Sequence, residues 1–151
     1  MKKKDIKVLL VDDEVDFVNT LAQRLKMREL LVDTVYDGEQ ALSFIKKIEP
    51  DVIVLDLKMP GLHGIEVLRE VKNLKPNIQV IILTGHGTDK DEEEARKLGG
   101  FDFLRKPADI DLLVAKIKEA FAEKLERAMT AITFAEEGAF DTARKIIKKE
   151  E

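Results

Sequence analysis

Five short apolar runs rich in β-branched residues alternate along this chain with segments whose apolar residues recur at helical spacing. The runs start at residues 6, 31, 51, 78 and 101, roughly 20 to 27 residues apart, which is typical of repeated strand-helix units around a parallel sheet. The third and fourth runs are almost continuously apolar, as a strand covered on both faces requires. The pattern predicts an α/β fold with five parallel strands.

The five strand-helix units would end near residue 123, so we expect one domain over residues 1–123 and an extension over residues 124–151. Apolar residues cross that boundary at a spacing of three and four, which predicts a long fifth helix: Phe121, Leu125, Ala128, Ile132 and Ala135. Gly138 is typical of a helix end, and Asp141 and Thr142 of a helix start. We expect a C-terminal helical hairpin with one apolar face, too short for an appended DNA-binding domain.

Composition excludes several classes of site. The formal net charge is −4, and a mildly acidic surface of mixed charge is not that of a nucleic-acid-binding protein. The absence of cysteine excludes disulfides, thiolate metal sites and cysteine nucleophiles, and it fits a reducing cytoplasm. No apolar run is long enough to cross a bilayer. We therefore expect a cytoplasmic protein that binds neither nucleic acid nor membrane.

Polar residues follow four of the five predicted strands. Asp12 and Asp13 follow the first strand, Asp56 the third, Thr84 the fourth and Lys106 the fifth. In a parallel sheet the carboxyl ends of all strands lie at one edge, and ligands bind there at the point where the strand order reverses. In the order 2-1-3-4-5 that point lies between the first and third strands. The sequence thus predicts that the three carboxylates meet at one edge of the sheet.

Three neighbouring carboxylates repel one another unless a cation lies among them, and oxygen ligands without His or Cys suit Mg²⁺. One carboxylate can then attack phosphorus, while a lysine such as Lys106 neutralises negative charge and a hydroxyl such as that of Thr84 donates to a phosphoryl oxygen. A single Asp after a strand is usually a turn former or a helix N-cap, and we assign Asp16 that role. Four polar features at one sheet edge favour a functional site instead.

These features resemble the receiver domains of two-component response regulators over roughly residues 5–123. The matching stretches are VLLVDDE at residues 8–14, DVIVLDLKMPG at 51–61 with Gly64 following, VIILTG at 80–85 and GFDFLRKP at 100–107. The resemblance implies a flavodoxin-like, doubly wound five-stranded parallel sheet in the order 2-1-3-4-5 with helices on both faces. The C-terminal helical extension would follow it.

The resemblance also implies site roles. Asp56 looks like the phosphoacceptor, supplied by a histidine kinase or a histidine phosphotransfer protein. Asp13 and Asp56 look like direct ligands of Mg²⁺, with Asp12 assisting and the main-chain carbonyl of Lys58 as a further ligand. Lys106 looks like the phosphoryl-binding lysine. The domain would be a switch that assists its own phosphorylation and dephosphorylation, and not an enzyme in the ordinary sense.

Thr84 and Phe103 look like the switch pair of the family, which reshapes the face formed by helix 4, strand 5 and helix 5 after phosphorylation. A cis bond between Lys106 and Pro107 is also expected. Ala108 departs from the family, because an aromatic residue often follows Lys-Pro there. The switched face would control an unknown protein partner or a homodimer through helix 5 and the extension.

Two other functions compete with this interpretation. The first is a receiver-fold interaction module that needs no phosphate, although such a module would lack one of the acidic residues, the threonine or the lysine. The second is an Asp-nucleophile phosphatase of the haloacid-dehalogenase type. That class has a second Asp two residues after the nucleophile, where this chain has Lys58. We assign His63 no role and interpret His86 as a solvated loop residue.

Overall fold

A computed structural model of the chain describes residues 5–136, with side-chain surroundings for residues 5–131. Five strands alternate with five helices, as the sequence pattern predicts. The elements are β1 (Lys7–Val11), α1 (Val15–Lys26), β2 (Leu31–Val35), α2 (Gly38–Lys47), β3 (Val52–Leu55), α3 (Gly64–Leu74), β4 (Gln79–Thr84), α4 (Asp89–Lys97), β5 (Asp102–Arg105) and α5 (Ile110–Glu136).

The five strands form one parallel sheet in the order β2-β1-β3-β4-β5, so the predicted flavodoxin-like fold is confirmed. The order reverses beside β1, whose two neighbours are β2 and β3. Val11 pairs with Leu55 at the carboxyl end of these two central strands. The residues that directly follow the pair, Asp12 and Asp56, therefore emerge side by side at the sheet edge.

Two apolar cores cover the two faces of the sheet. Helices α2, α3 and α4 pack on one face against alternate strand residues such as Leu9 and Ile53. Helices α1 and α5 pack on the other face against the intervening residues, such as Leu10 and Val54. Every residue of β3 and β4 is buried, as their continuous apolar sequences predict. The sheet edge is thus presented by a rigid, doubly covered scaffold.

The start of α1 corrects one expectation. We predicted that Asp16 would be a turn former or helix N-cap, and that assignment is wrong. The Asp12 carboxylate accepts a hydrogen bond from the Glu14 N–H (2.9 Å), and this turn lets the helix begin at Val15 with Glu14 at the N-cap. Asp16 lies in the first turn instead, where its negative charge is favoured by the helix dipole.

Helix α4 begins at an acidic run that starts at residue 89. The Thr88 side chain accepts from the Asp91 N–H, and the Asp91 side chain accepts from the Thr88 N–H, which is a capping box. Asp89, Asp91 and Glu92 occupy the first turn, and Ala95 alone is buried within the helix. Helix α4 is therefore fixed by its caps more than by apolar burial.

Helix α5 continues to Glu136, well past residue 123. Beyond that boundary Lys124 pairs with Asp51 at the amino-terminal edge of β3 (2.8 Å), and Leu125 packs against the core under α1 and α5. The second helix of the expected hairpin, after Gly138, lies outside the described residues. Among residues 5–136 no helix combines the length and the apolar character that crossing a membrane demands.

Gly64 offers a test of how tightly α3 is built onto the strand edge. A Cβ there would lie 2.5 Å from the Leu57 Cα and 2.6 Å from the Asp56 carbonyl oxygen, both of them main-chain atoms that cannot rotate away. Gly64→Ala should lower the free energy of unfolding by about 1–3 kcal/mol, the range for overpacking.

Gly85→Ala is the matched control, because its Cβ would meet its nearest neighbours at 3.9 Å. It should change stability by no more than about 0.5 kcal/mol. Urea unfolding of both variants measures the difference, and equal stabilities would contradict the close approach of α3 to Leu57.

Candidate functional site

The three carboxylates predicted to meet lie together at the carboxyl edge of β1 and β3. Asp12, Asp13 and Asp56 each offer an oxygen within 4.8 Å of the others. Main-chain bonds fix the cluster, since Asp56 N–H donates to the Val11 carbonyl (2.9 Å) and Asp12 N–H donates to the Val35 carbonyl (3.2 Å). The parallel register therefore sets the positions of the carboxylates.

Two of these carboxylates are buried. Asp56 is 3% exposed and Asp12 is 5% exposed, whereas Asp13 is more accessible. Among the described residues, the Asp56 Oδ1 atom is buried without a hydrogen-bond donor. An unpaired buried carboxylate oxygen is costly, and buried charges are normally paired or bound to metal. An oxygen-only donor set with an orphaned oxygen fits a hard divalent cation such as Mg²⁺.

Lys106 brings the one positive charge that contacts the cluster within the described residues. Its Nζ donates to Asp12 (2.7 Å) and Glu14 (2.9 Å) and lies 3.7 Å from the Asp56 Oδ2. The main chain anchors it, because Lys106 N–H donates to the Thr84 carbonyl (2.9 Å). The expected cis bond between Lys106 and Pro107 is present. Lys106 thus reaches from β5 across β4 to the carboxylates.

The pKa shifts of this group reflect the competition between burial and pairing. Burial raises the pKa of the Asp12 carboxyl, and the nearby Asp56 charge raises it further, although hydrogen bonds from Lys106 and Glu14 N–H oppose the rise. Burial by itself lowers the pKa of the Lys106 ammonium, but bonds to Asp12 and Glu14 outweigh it and the pKa rises. The charged groups beside the Lys106 ammonium are all anions, and they favour its charged form. Asp12 has one cation and a second buried anion beside it, so pairing does not overcome the effect of burial on its pKa.

Thr84 and Phe103 lie on neighbouring strands next to this cluster. Thr84 ends β4 fully buried, and its Oγ1 accepts a long hydrogen bond from the His86 N–H (3.3 Å). Phe103 is buried in the core beneath α2, α3 and α4. A Cβ on Gly87 would overlap both the Phe103 ring and the Thr84 methyl group. The loop after β4 thus closes over the two residues that the sequence predicts as a switch pair.

The remaining candidate residues are more peripheral. Lys58 lies exposed in the loop after Asp56, and the role of its carbonyl as a ligand stays a prediction. His63, which we assigned no role, is the N-cap of α3, where its Nδ1 accepts from the Ile65 N–H (3.1 Å). His86 lies in the loop after Thr84.

Comparison with known proteins decides the family. The family model described as "Response regulator receiver domain" matches residues 8–118. The chain belongs to that family. The resemblance carried by the four sequence motifs is thereby confirmed.

Curated relatives of this receiver domain include proteins of different length. It is 33% identical over 123 residues to the transcriptional regulatory protein GlrR of Escherichia coli (strain K12), covering 82% of this chain but 28% of that relative. It is 34% identical over 113 residues to sporulation initiation phosphotransferase F of Bacillus subtilis (strain 168), covering 75% of this chain and 91% of the relative. The receiver domain therefore spans under a third of one relative and nearly all of the other.

Solved structures carry the same fold. A receiver domain protein from Clostridium thermocellum is 35% identical with a TM-score of 0.75, and the match covers 79% of this chain and 96% of that one. A CheY-like receiver domain protein from Methanospirillum hungatei JF-1 has a TM-score of 0.79 over 82% of this chain and 99% of that one. At 23% identity, the second likeness concerns the fold alone.

Sequence reasoning missed several residues around the receiver site. Glu14 bonds Lys106, and the Phe17 ring lies under the same ammonium group. Arg105 stacks on Phe103 and donates to the Gly87 carbonyl. Glu14 directly follows the acidic pair, which was a usable signal, but the helical spacing of Phe17 indicated only a core residue. Nothing in the sequence distinguished Arg105 from an exposed strand-end cation.

Proposed function

We propose that this receiver domain is a phosphorylation-controlled switch in which Asp56 accepts a phosphoryl group from a histidine kinase or histidine phosphotransfer protein. The observation that carries the proposal is the environment of the Asp56 carboxylate. It is buried, it has one oxygen without a donor, and it lies between two further carboxylates and a lysine ammonium. A carboxylate with only a structural role would have its oxygens paired.

The residues fit Mg²⁺, with Asp13 and Asp56 as direct ligands, Asp12 assisting and the Lys58 carbonyl as a further ligand. When bound, the ion supplies neutralisation of the carboxylates and of the phosphoryl oxygens. The side chains of the protein carry out the transfer itself. The carboxylate of Asp56 attacks phosphorus as the bond from phosphorus to the donor's imidazole nitrogen breaks, and Lys106 neutralises charge on the transferred group.

The proposed switch begins at Thr84, whose hydroxyl donates to a phosphoryl oxygen once Asp56 is modified. Within residues 5–136 its hydrogen bond is the long one accepted from the His86 N–H, so little is lost when the hydroxyl turns. The Phe103 ring lies beside it, and Gly87 adds no side chain that would overlap the two groups. The changed surface is the face of α4, β5 and α5, which controls a downstream protein partner or self-association.

A phosphate-independent interaction module and an Asp-nucleophile phosphatase are less well supported. The full set of acidic residues, threonine and lysine is present, which a degenerate module does not need. The place of a second catalytic Asp holds Lys58, which is exposed. The domain is therefore proposed to modify itself, releasing no separate product beyond the phosphate of its own dephosphorylation.

Incubation with acetyl phosphate tests the phosphoacceptor. Intact-protein mass should show a single phosphoryl adduct that requires Mg²⁺ and that disappears in Asp56→Asn, because the amide oxygen is a poor nucleophile. Absence of the adduct, together with failure to bind beryllofluoride in the presence of Mg²⁺, would overturn the proposal. Beryllofluoride binding does not depend on the lifetime of a phosphoryl group, so this second measurement excludes rapid hydrolysis as the reason for a missing adduct.

The output is proposed to pass along α5, which leads from the switch face into the extension. The extension exposes Met129, an apolar side chain that is 65% exposed. Light scattering should show a change in mass or hydrodynamic radius when beryllofluoride and Mg²⁺ are added, and Met129→Lys should reduce that change if a second copy covers the extension. Identical mass and radius in both states of the unsubstituted protein would contradict an output through the extension.

A further inference from the structure

The Lys106 ammonium has an aromatic neighbour that the phosphoryl-transfer site, as described, does not use. Its Nζ lies 4.3 Å from the centroid of the Phe17 ring. A cation within about 6 Å of an aromatic face is attracted by the ring quadrupole, and more strongly where water is excluded. The Lys106 side chain is 13% exposed, so most of this contact is removed from water.

Phe17 is held by α1 rather than by the loop that carries Lys106. The ring packs against the core between α1, α5 and the sheet. Beneath it a gap of about 10 Å³ is bordered also by Asp12 and Asp56. Phe17 therefore borders the space next to the two buried carboxylates and also contacts the ammonium. Less water in that space strengthens the attraction between Lys106 and the carboxylates.

The other side of the ring is open. It lines a groove of about 420 Å³ between α1 and α5. Ala108, two residues after Lys106, borders the same groove with a single methyl group where an aromatic side chain would fill part of it. Phe17 is thus the aromatic surface against which the ammonium rests, and the groove leaves room for a larger ring at position 17.

We propose that Phe17 is a positioning residue for phosphoryl transfer, because its ring face holds the Lys106 ammonium beside Asp56. The inference rests on the proposed function. Glu14 already bonds the ammonium from a side chain that is 57% exposed, so without the ring this bond would draw the ammonium toward solvent. A flexible lysine side chain loses rotamer freedom when it binds, and a contact that already restrains it reduces that loss.

The contact is compatible with phosphoryl binding. Lys106 Nζ lies 3.7 Å from the Asp56 Oδ2, so a phosphoryl group on Asp56 comes within reach while the ammonium stays over the ring. The bonds exchanged are those to Asp12 and Glu14. Phe17 thus holds the free lysine in the position that phosphoryl binding requires. Its removal lets the free ammonium move away from Asp56, and this weakens the binding of a phosphoryl mimic.

Fluorinated phenylalanines at position 17 test this directly, because each fluorine weakens the ring quadrupole with little change in size. Beryllofluoride affinity at saturating Mg²⁺ should fall stepwise from phenylalanine to trifluorophenylalanine. The loss should total about 2- to 30-fold and should be matched by Phe17→Leu. Phe17→Tyr, which keeps the ring, should stay within about twofold of the unsubstituted protein. The affinity for Mg²⁺ alone should not change, because the carboxylates are untouched.

Fluorination at Phe121, which packs in the same core from α5, is the matched control and should leave beryllofluoride affinity unchanged. Unchanged or tighter binding across the position-17 series would overturn the inference, as would an equal loss of Mg²⁺ affinity, which indicates general disruption of α1. Failure of the unsubstituted protein to bind beryllofluoride would instead overturn the proposed function, and the inference with it.

Discussion

The convergence of buried carboxylates on one lysine ammonium is the interaction on which the rest of the site depends. Asp12 and Asp56 emerge from paired central strands and cannot separate, because the parallel register of β1 and β3 fixes their main chains. Lys106 contacts both, at 2.7 and 3.7 Å. One cation cannot neutralise two buried anions and a third nearby. The fold therefore holds an excess of negative charge that favours a divalent cation.

The scaffold around the cluster restrains it from both faces of the sheet. On the side of α1 and α5, Phe17 lies against the lysine and the gap behind the carboxylates. On the side of α2, α3 and α4, Phe103 lies under Gly87 and beside Thr84. Two aromatic rings on opposite faces thus border the same site. In the proposed mechanism the first ring positions the lysine and the second responds to the phosphoryl group.

The periodicity of apolar residues was sufficient to predict the strands, their parallel arrangement and the polar residues at their carboxyl ends, because buried strands and their ends are marked by local sequence. The order of the strands and the family came with the motif resemblance. Asp16 was assigned wrongly because the side chain of Asp12, four residues earlier, sets the helix start. Phe17 and Arg105 were missed because Lys106 and the Gly87 carbonyl, which they contact, are distant in sequence, and spacing within one element carries no signal for such contacts.

The most direct test of the charge cluster is the free energy of unfolding of the unsubstituted protein and of Asp56→Asn, with and without Mg²⁺. In chelator the Asn variant should be the more stable, because it removes a buried anion beside Asp12. Mg²⁺ at 100 times its Kd should stabilise the unsubstituted protein by about 2.7 kcal/mol and the variant much less. Equal gains for both proteins, or a variant that is less stable in chelator, would contradict the account.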